Sequence, residues 1–330
     1  MSDPQAPVAT FPLPDASRIT VSDQVIVRVS GAGTDKFLQG QFSQQMADVT
    51  ERYSPRAAAC SPKGRAYCLT RMVRDGEDVL MALPASLAED TISHLRKYLM
   101  LFRGTSMEVD ESATLIGLLG KPAAEAVTED PVGKLPAPGD SLGFPGGRLI
   151  RTMDTGDGLI RFELWQTGEM SAECREALDA LREDQPVTWQ ASEIAAGVAA
   201  LSPDTRESYV PQMLNWQHLG GVHFKKGCYT GQEVIARMHF LGQLKKSLFR
   251  LWCPAEGERL SPGMALVRND KAVGEIVNAV QLSDGHSECL AVVRHDASDS
   301  DLALKHAPGI LLKQLPLPYA VPEREQPAES

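Results

Sequence analysis

Nine consecutive residues, Lys225-Lys226-Gly227-Cys228-Tyr229-Thr230-Gly231-Gln232-Glu233, set a thiol between two glycines, behind two lysines and ahead of a carboxylate. Such a run suits thiolate chemistry. Neighbouring ammonium groups stabilise a thiolate, and so does a helix N-terminus. Gly227 and Gly231 permit left-handed backbone and close approach, so the loop can present Cys228 to a ligand. A helix opening at Thr230 or Gly231 puts Glu233 in its first turn, where a carboxylate is favoured and can accept N–H bonds from a flat heterocycle. The opposing reading makes Cys228 a small buried hydrophobe, because free cysteine is among the most buried residue types. The lysines then belong to a solvated face.

The wider neighbourhood is basic. From His223 to Arg250, Lys225, Lys226, Arg237, Lys245, Lys246 and Arg250 face one acid, Glu233, a local charge of +5 in a chain of net −10. That stretch can receive an anionic tail or a phosphate backbone, or it is ordinary surface charge. The overall acidity, with a pI near 5.3, excludes general coating of nucleic acid. Six cysteines (Cys60, Cys68, Cys174, Cys228, Cys253 and Cys289) form no C-x-x-C pair, which excludes a zinc ribbon or a ferredoxin ligand run. Sparse, unpaired cysteines suit a reducing compartment. His223 and His239 are the nearest bases for Cys–His thiol chemistry, and each reads equally as a structural histidine. The first residues lack a basic segment followed by an apolar one, and no apolar run reaches the ~18 residues of a membrane span. A cytoplasmic protein with no membrane partner is expected.

The elements that position this loop follow from apolar periodicity and turn residues. Alternation predicts strands at 19–21 and 25–29, then a helix with Thr34 as its N-cap. Ser61-Pro62-Lys63-Gly64-Arg65 reads as a hairpin turn and Asp75-Gly76-Glu77-Asp78 as a second. A strand at 79–83 precedes a helix over 85–101, with Leu87, Thr91, Leu95 and Tyr98 on one side. The order partly repeats over 113–189, with strands near 114–119, 149–153 and 159–165 and a helix over 171–181 capped by Ser171. Residues 202–209 read as a loop in which Arg206, Glu207 and Tyr209 can reach a ligand channel, or cap a connection. After Gly242, short apolar runs between Gly, Pro and Asp turns predict an antiparallel barrel or sandwich. The division expected is a loose arm at 1–17, an α+β region of two similar interlocked modules at 18–240, a β-barrel at 241–315 and a frayed tail at 316–330.

The stretch Lys226-Gly227-Cys228-Tyr229-Thr230-Gly231-Gln232-Glu233 resembles the hallmark of the YgfZ family, folate-binding proteins related to the glycine-cleavage aminomethyltransferase, the T-protein. Phe37-Leu38-Gln39-Gly40-Gln41-Phe42-Ser43, the 61–65 turn and the segment 211–221, ending in Leu219-Gly220-Gly221, are similar to further blocks of that family. The resemblance implies a T-protein-like α+β fold with a C-terminal antiparallel β-barrel, around a central channel for tetrahydrofolate. It implies a role in iron–sulfur cluster assembly or repair, and through cluster enzymes in tRNA modification, the tRNA link being indirect. By the same resemblance Cys228 is the essential, catalytic position and a transient iron ligand. Lys226, Gly227, Tyr229, Gly231, Gln232 and Glu233 map as cofactor-binding residues beside it. Trp189 lies where the family sets a tryptophan against the folate, and a core tryptophan is the other reading. The family's other aromatic folate contact falls near Gln24, which is not aromatic.

T-proteins carry a catalytic aspartate just after the counterpart of the Lys63-Gly64 turn. Here that stretch is Arg65-Ala66-Tyr67-Cys68-Leu69, without a carboxylate, which disfavours aminomethyl transfer. Three readings therefore stand: a folate-binding iron–sulfur maintenance protein with cluster proteins or assembly factors as partners, a folate-dependent one-carbon transferase acting on RNA or protein, and a Cys–His thiol enzyme without folate. Whether the protein turns over a substrate is left open.

Overall fold

The computed structural model describes residues 7–242, 244–254, 259–298 and 302–322. A five-stranded sheet runs in the order β3 (Arg56–Cys60), β4 (Ala66–Asp75), β5 (Asp78–Pro84), β2 (Gln24–Ser30), β6 (Ser106–Val109). A six-stranded sheet runs β11 (Arg182–Glu183), β1 (Ser17–Thr20), β7 (Thr114–Leu119), β10 (Arg161–Gln166), β9 (Gly147–Arg151), β8 (Ser141–Phe144). The remaining strands, β12 (Lys246–Cys253), β15 (Ser287–Arg294), β14 (Lys271–Gln281), β13 (Ala265–Arg268), β16 (Leu302–Leu304) and β17 (Ala307–Leu315), close into an antiparallel barrel. This is the expected α+β architecture with a C-terminal barrel. The two sheets interleave along the chain, because β1 precedes the first sheet yet pairs with β7 and β11 of the second.

Helices cover the sheets where the apolar spacing demands it. On the five-stranded sheet, α1 (Thr34–Gln41) buries Phe37 and Leu38, and α2 (Ala85–Leu99) buries Ala88, Ile92 and Leu95, against Val27, Met72 and Met81. On the six-stranded sheet lie α3 (Lys121–Glu125), α4 (Pro131–Lys134) and α5 (Ala172–Asp179). Ser171 caps α5 as expected, its hydroxyl accepting from the Cys174 N–H at 3.2 Å. Strand β4 is buried for eight residues from Ala66 to Val73, so it runs through the interior. Two further helices matter for function: α6 (Pro186–Ala195), which touches β1, β14 and β15, and α7 (Gln232–Phe240). Among the described residues no helix is long and apolar enough to cross a membrane.

Three expectations need correction, and one helix was not expected. From residue 7 the loose arm is a docked strap: Ala9 is fully buried and bonds to Gln281 O (2.9 Å) and from Ser283 N (2.8 Å), and Thr10 donates to Asp184 at 2.9 Å. Residues 1–6 lie outside the described residues. Prolines suit such a strap because it needs few backbone donors. The tail is likewise anchored as far as it is described. The Tyr319 hydroxyl donates to Gly197 O at 2.7 Å, and its ring stacks on His218. Residues 323–330 lie outside the described part. Thr34 is the first helical residue, and Gly33 holds the cap position. Helix α6, which carries Trp189, lacks the amphipathic stripe that announces a helix. Val187, Trp189, Ala191, Ile194 and Ala195 are buried all round it.

Candidate functional site

The four sequence blocks meet at one junction. The Thr230 N–H donates to Gly40 O at the end of α1 (3.1 Å). Gly231 has φ +83°, and a Cβ there would stand 2.6 Å from Ser61 O in the β3–β4 turn. A Cβ on Gly64 of that turn would meet Val234 of α7 at 2.7 Å. Ser43 donates to Gly221 O at 2.6 Å, and Gln212 to Ile235 O at 2.7 Å. On this platform Tyr229 and Ile235 point into the core while Gly227 and Cys228 stand in solvent. Cys228 is the only exposed cysteine among the six. Helix α7 begins straight after Gly231, with Glu233 in its first turn, as the spacing predicts.

Other expectations for the loop change. Lys226 is buried, and its ammonium donates to Gln39 O (2.7 Å) and Phe42 O (2.5 Å) and lies 4.7 Å from the Tyr229 ring centre. Its charge therefore serves the C-terminal end of α1. Burial pulls its pKa down to about 7. Gly227 needs no special freedom, since a Cβ would meet nothing within 4 Å. Gln232 closes the loop by donating to Lys226 O at 3.3 Å. Arg250, counted with the basic stretch, is buried in a pair with Glu288. The exposed charge of the patch thus rests on Lys225, Arg237 and Lys245, with Lys246 half-buried. His223 faces Asp48 at 3.6 Å, and His239 stacks on Phe224 at 3.6 Å between ring centres.

A second site lies at the centre, a cavity of ≈ 60 Å³. Tyr67, Cys68 and Leu69, which follow the hairpin turn, line it, as do Gln24, Trp189 and Trp216. Two positions that the resemblance singles out, the 67–69 stretch without a carboxylate and Gln24 without an aromatic ring, thus line one cavity. No residue of 226–233 lines the cavity. Lys226, Gly227, Tyr229, Gly231, Gln232 and Glu233, expected around the cofactor, lie on the platform behind the β3–β4 turn. Of the expected binding residues, Trp189 is at the wall. Arg161 lies 4.4 Å from its ring centre, and Gly117 admits the ring by lacking a Cβ, which would come within 2.2 Å. The 202–210 loop is held to β4 through Glu207 N to Ala66 O and Ala66 N to Tyr209 O, and Arg206 pairs with Asp90.

Sequence reasoning missed the charged wall of this cavity. Arg71 grips Glu163 through two bonds of 2.7 and 3.0 Å, the Trp165 indole donates to the same carboxylate at 3.1 Å, and Arg56 lies 3.5 Å away. Burial alone would raise the Glu163 carboxyl, yet Arg71 and Arg56 hold it at about 2. Arg161 and Arg56 share Glu193, so three guanidiniums face two carboxylates. Burial weakens the hold of Arg56 on its proton. The Trp216 Nε1 and Tyr67 hydroxyl are buried without partners among the described residues. The Cys68 thiol in the wall is pushed up to about 12 by burial, which leaves it protonated and inert. No local motif announces this wall, because its members come from separate strands that pair only in the fold. Among the described residues no group of three or more His, Cys, Asp or Glu side chains could hold a metal ion.

The chain is 30% identical, over 329 residues, to the tRNA-modifying protein YgfZ of Escherichia coli strain SMS-3-5 and of Shigella boydii serotype 4 strain Sb227. The matches cover 97% of this chain and 98% of each relative. The crystal structure of glycine cleavage system aminomethyltransferase T from Bartonella henselae shares the fold, with a TM-score of 0.70 over 93% of this chain and 89% of that one at 15% identity. No family model matches the sequence. The extent of the sequence match, together with the convergence of the four blocks on one exposed thiol, leads to a single assignment: the chain belongs to the family of the tRNA-modifying protein YgfZ.

Proposed function

We propose that this protein binds tetrahydrofolate in the central cavity and supports assembly or repair of iron–sulfur clusters through Cys228, and thereby tRNA modification. One observation carries the reading: the cavity and the exposed thiol are separate sites joined by one hairpin, and the cavity's own carboxylates and thiol are withdrawn from chemistry. Glu163 is bound by Arg71 and Arg56, Glu193 by Arg161 and Arg56, and Cys68 is buried. The donor set suits an electron-rich flat ligand. It offers the indoles of Trp165, Trp189 and Trp216 and two donors unpartnered among the described residues. A cavity of ≈ 60 Å³ is far below the usual size of a small-molecule site, so binding requires the walls to part and is expected to be slower than diffusion. Tetrahydrofolate supplies ring nitrogens that carry one-carbon units. With no carboxylate over residues 65–69, transfer of that unit lacks its acid–base partner. Cys228 meets its substrate in solvent, where a thiolate can take an iron site of a cluster or a disulfide of a partner. One cysteine cannot hold a cluster alone, so the other ligands come from the partner.

The test is a tetrahydrofolate titration beside a cellular assay of cluster enzymes. Cys228→Ser is expected to bind folate as the wild type does and to lose the cellular function. Trp216→Leu is expected to bind about tenfold more weakly. Absence of saturable folate binding sinks the first half of the reading, and normal cluster-enzyme activity with Cys228→Ser sinks the second. Turnover of methylene-tetrahydrofolate with a protein or RNA acceptor would promote the transferase reading instead.

A further inference from the structure

A larger cleft of ≈ 410 Å³ lies on the other side of α6. Trp189 and Glu193 of that helix line the central cavity, and Ala191 and Ala195 line the cleft. A two-residue offset on a helix turns side chains by about 200°, so the two sites back onto one another. The cleft is walled by the N-terminal strap, the loop between β9 and β10, α6 and three barrel strands, and its size is that of a small-molecule site.

Its chemistry is specific. Phe11, Trp252 and His286 form an aromatic corner, with Phe11 edge-on to His286 at 4.7 Å and Trp252 at 5.9 Å between ring centres. The Nδ1 of the buried His286 lies 2.5 Å from Asp284 Oδ1. Among the described residues its Nε2 has no hydrogen-bond partner, and Glu288 Oε1 is 3.6 Å away, beyond bonding reach. The tautomer that carries its proton on Nδ1 presents a lone pair at Nε2. Two carboxylates line the same cleft, Glu288 and Asp157. Among the described residues Arg250 is the one lining Lys or Arg, and its guanidinium already donates to Glu288 twice, to Asp157 and to Pro316 O. An anion would have to displace those bonds. A ligand that brings its own N–H groups and a positive charge finds acceptors waiting, with aromatic faces beside them.

We propose that this cleft is a binding site for a small flat organic cation, one that donates to His286 Nε2 and to the Asp157 and Glu288 carboxylates while its ring lies in the Phe11–Trp252 corner. The site is independent of the central cavity and of any folate bound there.

Benzamidine is a suitable probe and benzoate its control, the same ring with the opposite charge. Titration of the full chain at pH 8, followed by calorimetry and tryptophan emission, should show saturable benzamidine binding that weakens with salt. Benzoate should not compete. His286→Phe keeps a flat ring and removes the acceptor, and Asp157→Asn removes a charge on a largely exposed side chain. Each is expected to weaken benzamidine by about tenfold. If circular dichroism shows that His286→Phe fails to fold, Asp157→Asn alone decides. The proposal is overturned by absence of saturable benzamidine binding, by benzoate binding as tightly, or by wild-type benzamidine affinity in the folded variants.

Discussion

Lys226 keeps an ammonium group inside the protein at the junction on which Cys228 stands. Two carbonyls and the Tyr229 ring favour its charged form, and burial opposes it strongly enough to bring the pKa from 10.5 to about 7. The consequence for stability has a definite sign. Between pH 7 and 10.5 the unfolded chain holds a proton that the folded chain has given up, so this group adds to stability as pH rises across that window. Urea unfolding of the wild type and Lys226→Met at pH 7 and pH 10 should show the wild type gaining on the variant. An unchanged difference would mean that Lys226 stays charged when folded. The motif announced a lysine beside a thiol. It gave no sign that one of the two lysines turns inward, because that depends on where the end of α1 lies.

Among the elements, the β3–β4 turn and the start of α7 are pressed together through glycines. Gly231 sits at positive φ, with Ser61 O where its side chain would go. Gly231→Ala is therefore expected to destabilise by about 1–3 kcal/mol. Gly227→Ala, with open space around it, should stay within about 0.5 kcal/mol. Thermal unfolding of both variants checks this, and equal effects would count against the packed-turn account. The sequence showed the first turn plainly, through Pro62-Lys63-Gly64, and placed a helix start at Thr230 or Gly231. It also showed β1, β2, β5, β7, β9 and β10, α2, and α5 with its Ser171 cap. Helix α6 escaped because burial on all sides erases the helical period. Pro186 at its start and Gly197 just past its end were the surviving signals. The Glu163–Arg71–Arg56 wall left no trace, since pairing between distant strands has no local spacing.

In the whole molecule, side chains from connecting segments fasten the barrel to the sheets. The buried Asn215, in left-handed conformation, donates to Leu248 O at 2.9 Å and accepts from Leu248 N at 3.3 Å, which ties the 211–221 segment to β12. Asn215→Ala leaves both groups unsatisfied and should cost about 1–3 kcal/mol, read as a lowered denaturation midpoint. No loss would mean that the clamp is dispensable. The strap at Ala9 has a consequence in time. Its partners, Gln281 and Ser283, lie some 270 residues further along the chain. A ribosome working at about 5–20 residues per second releases the strap many seconds before anything exists for it to pair with. The nascent protein must therefore hold an unfinished amino end until the barrel emerges. That interval is a natural opening for chaperones, and a slow step set by chain topology.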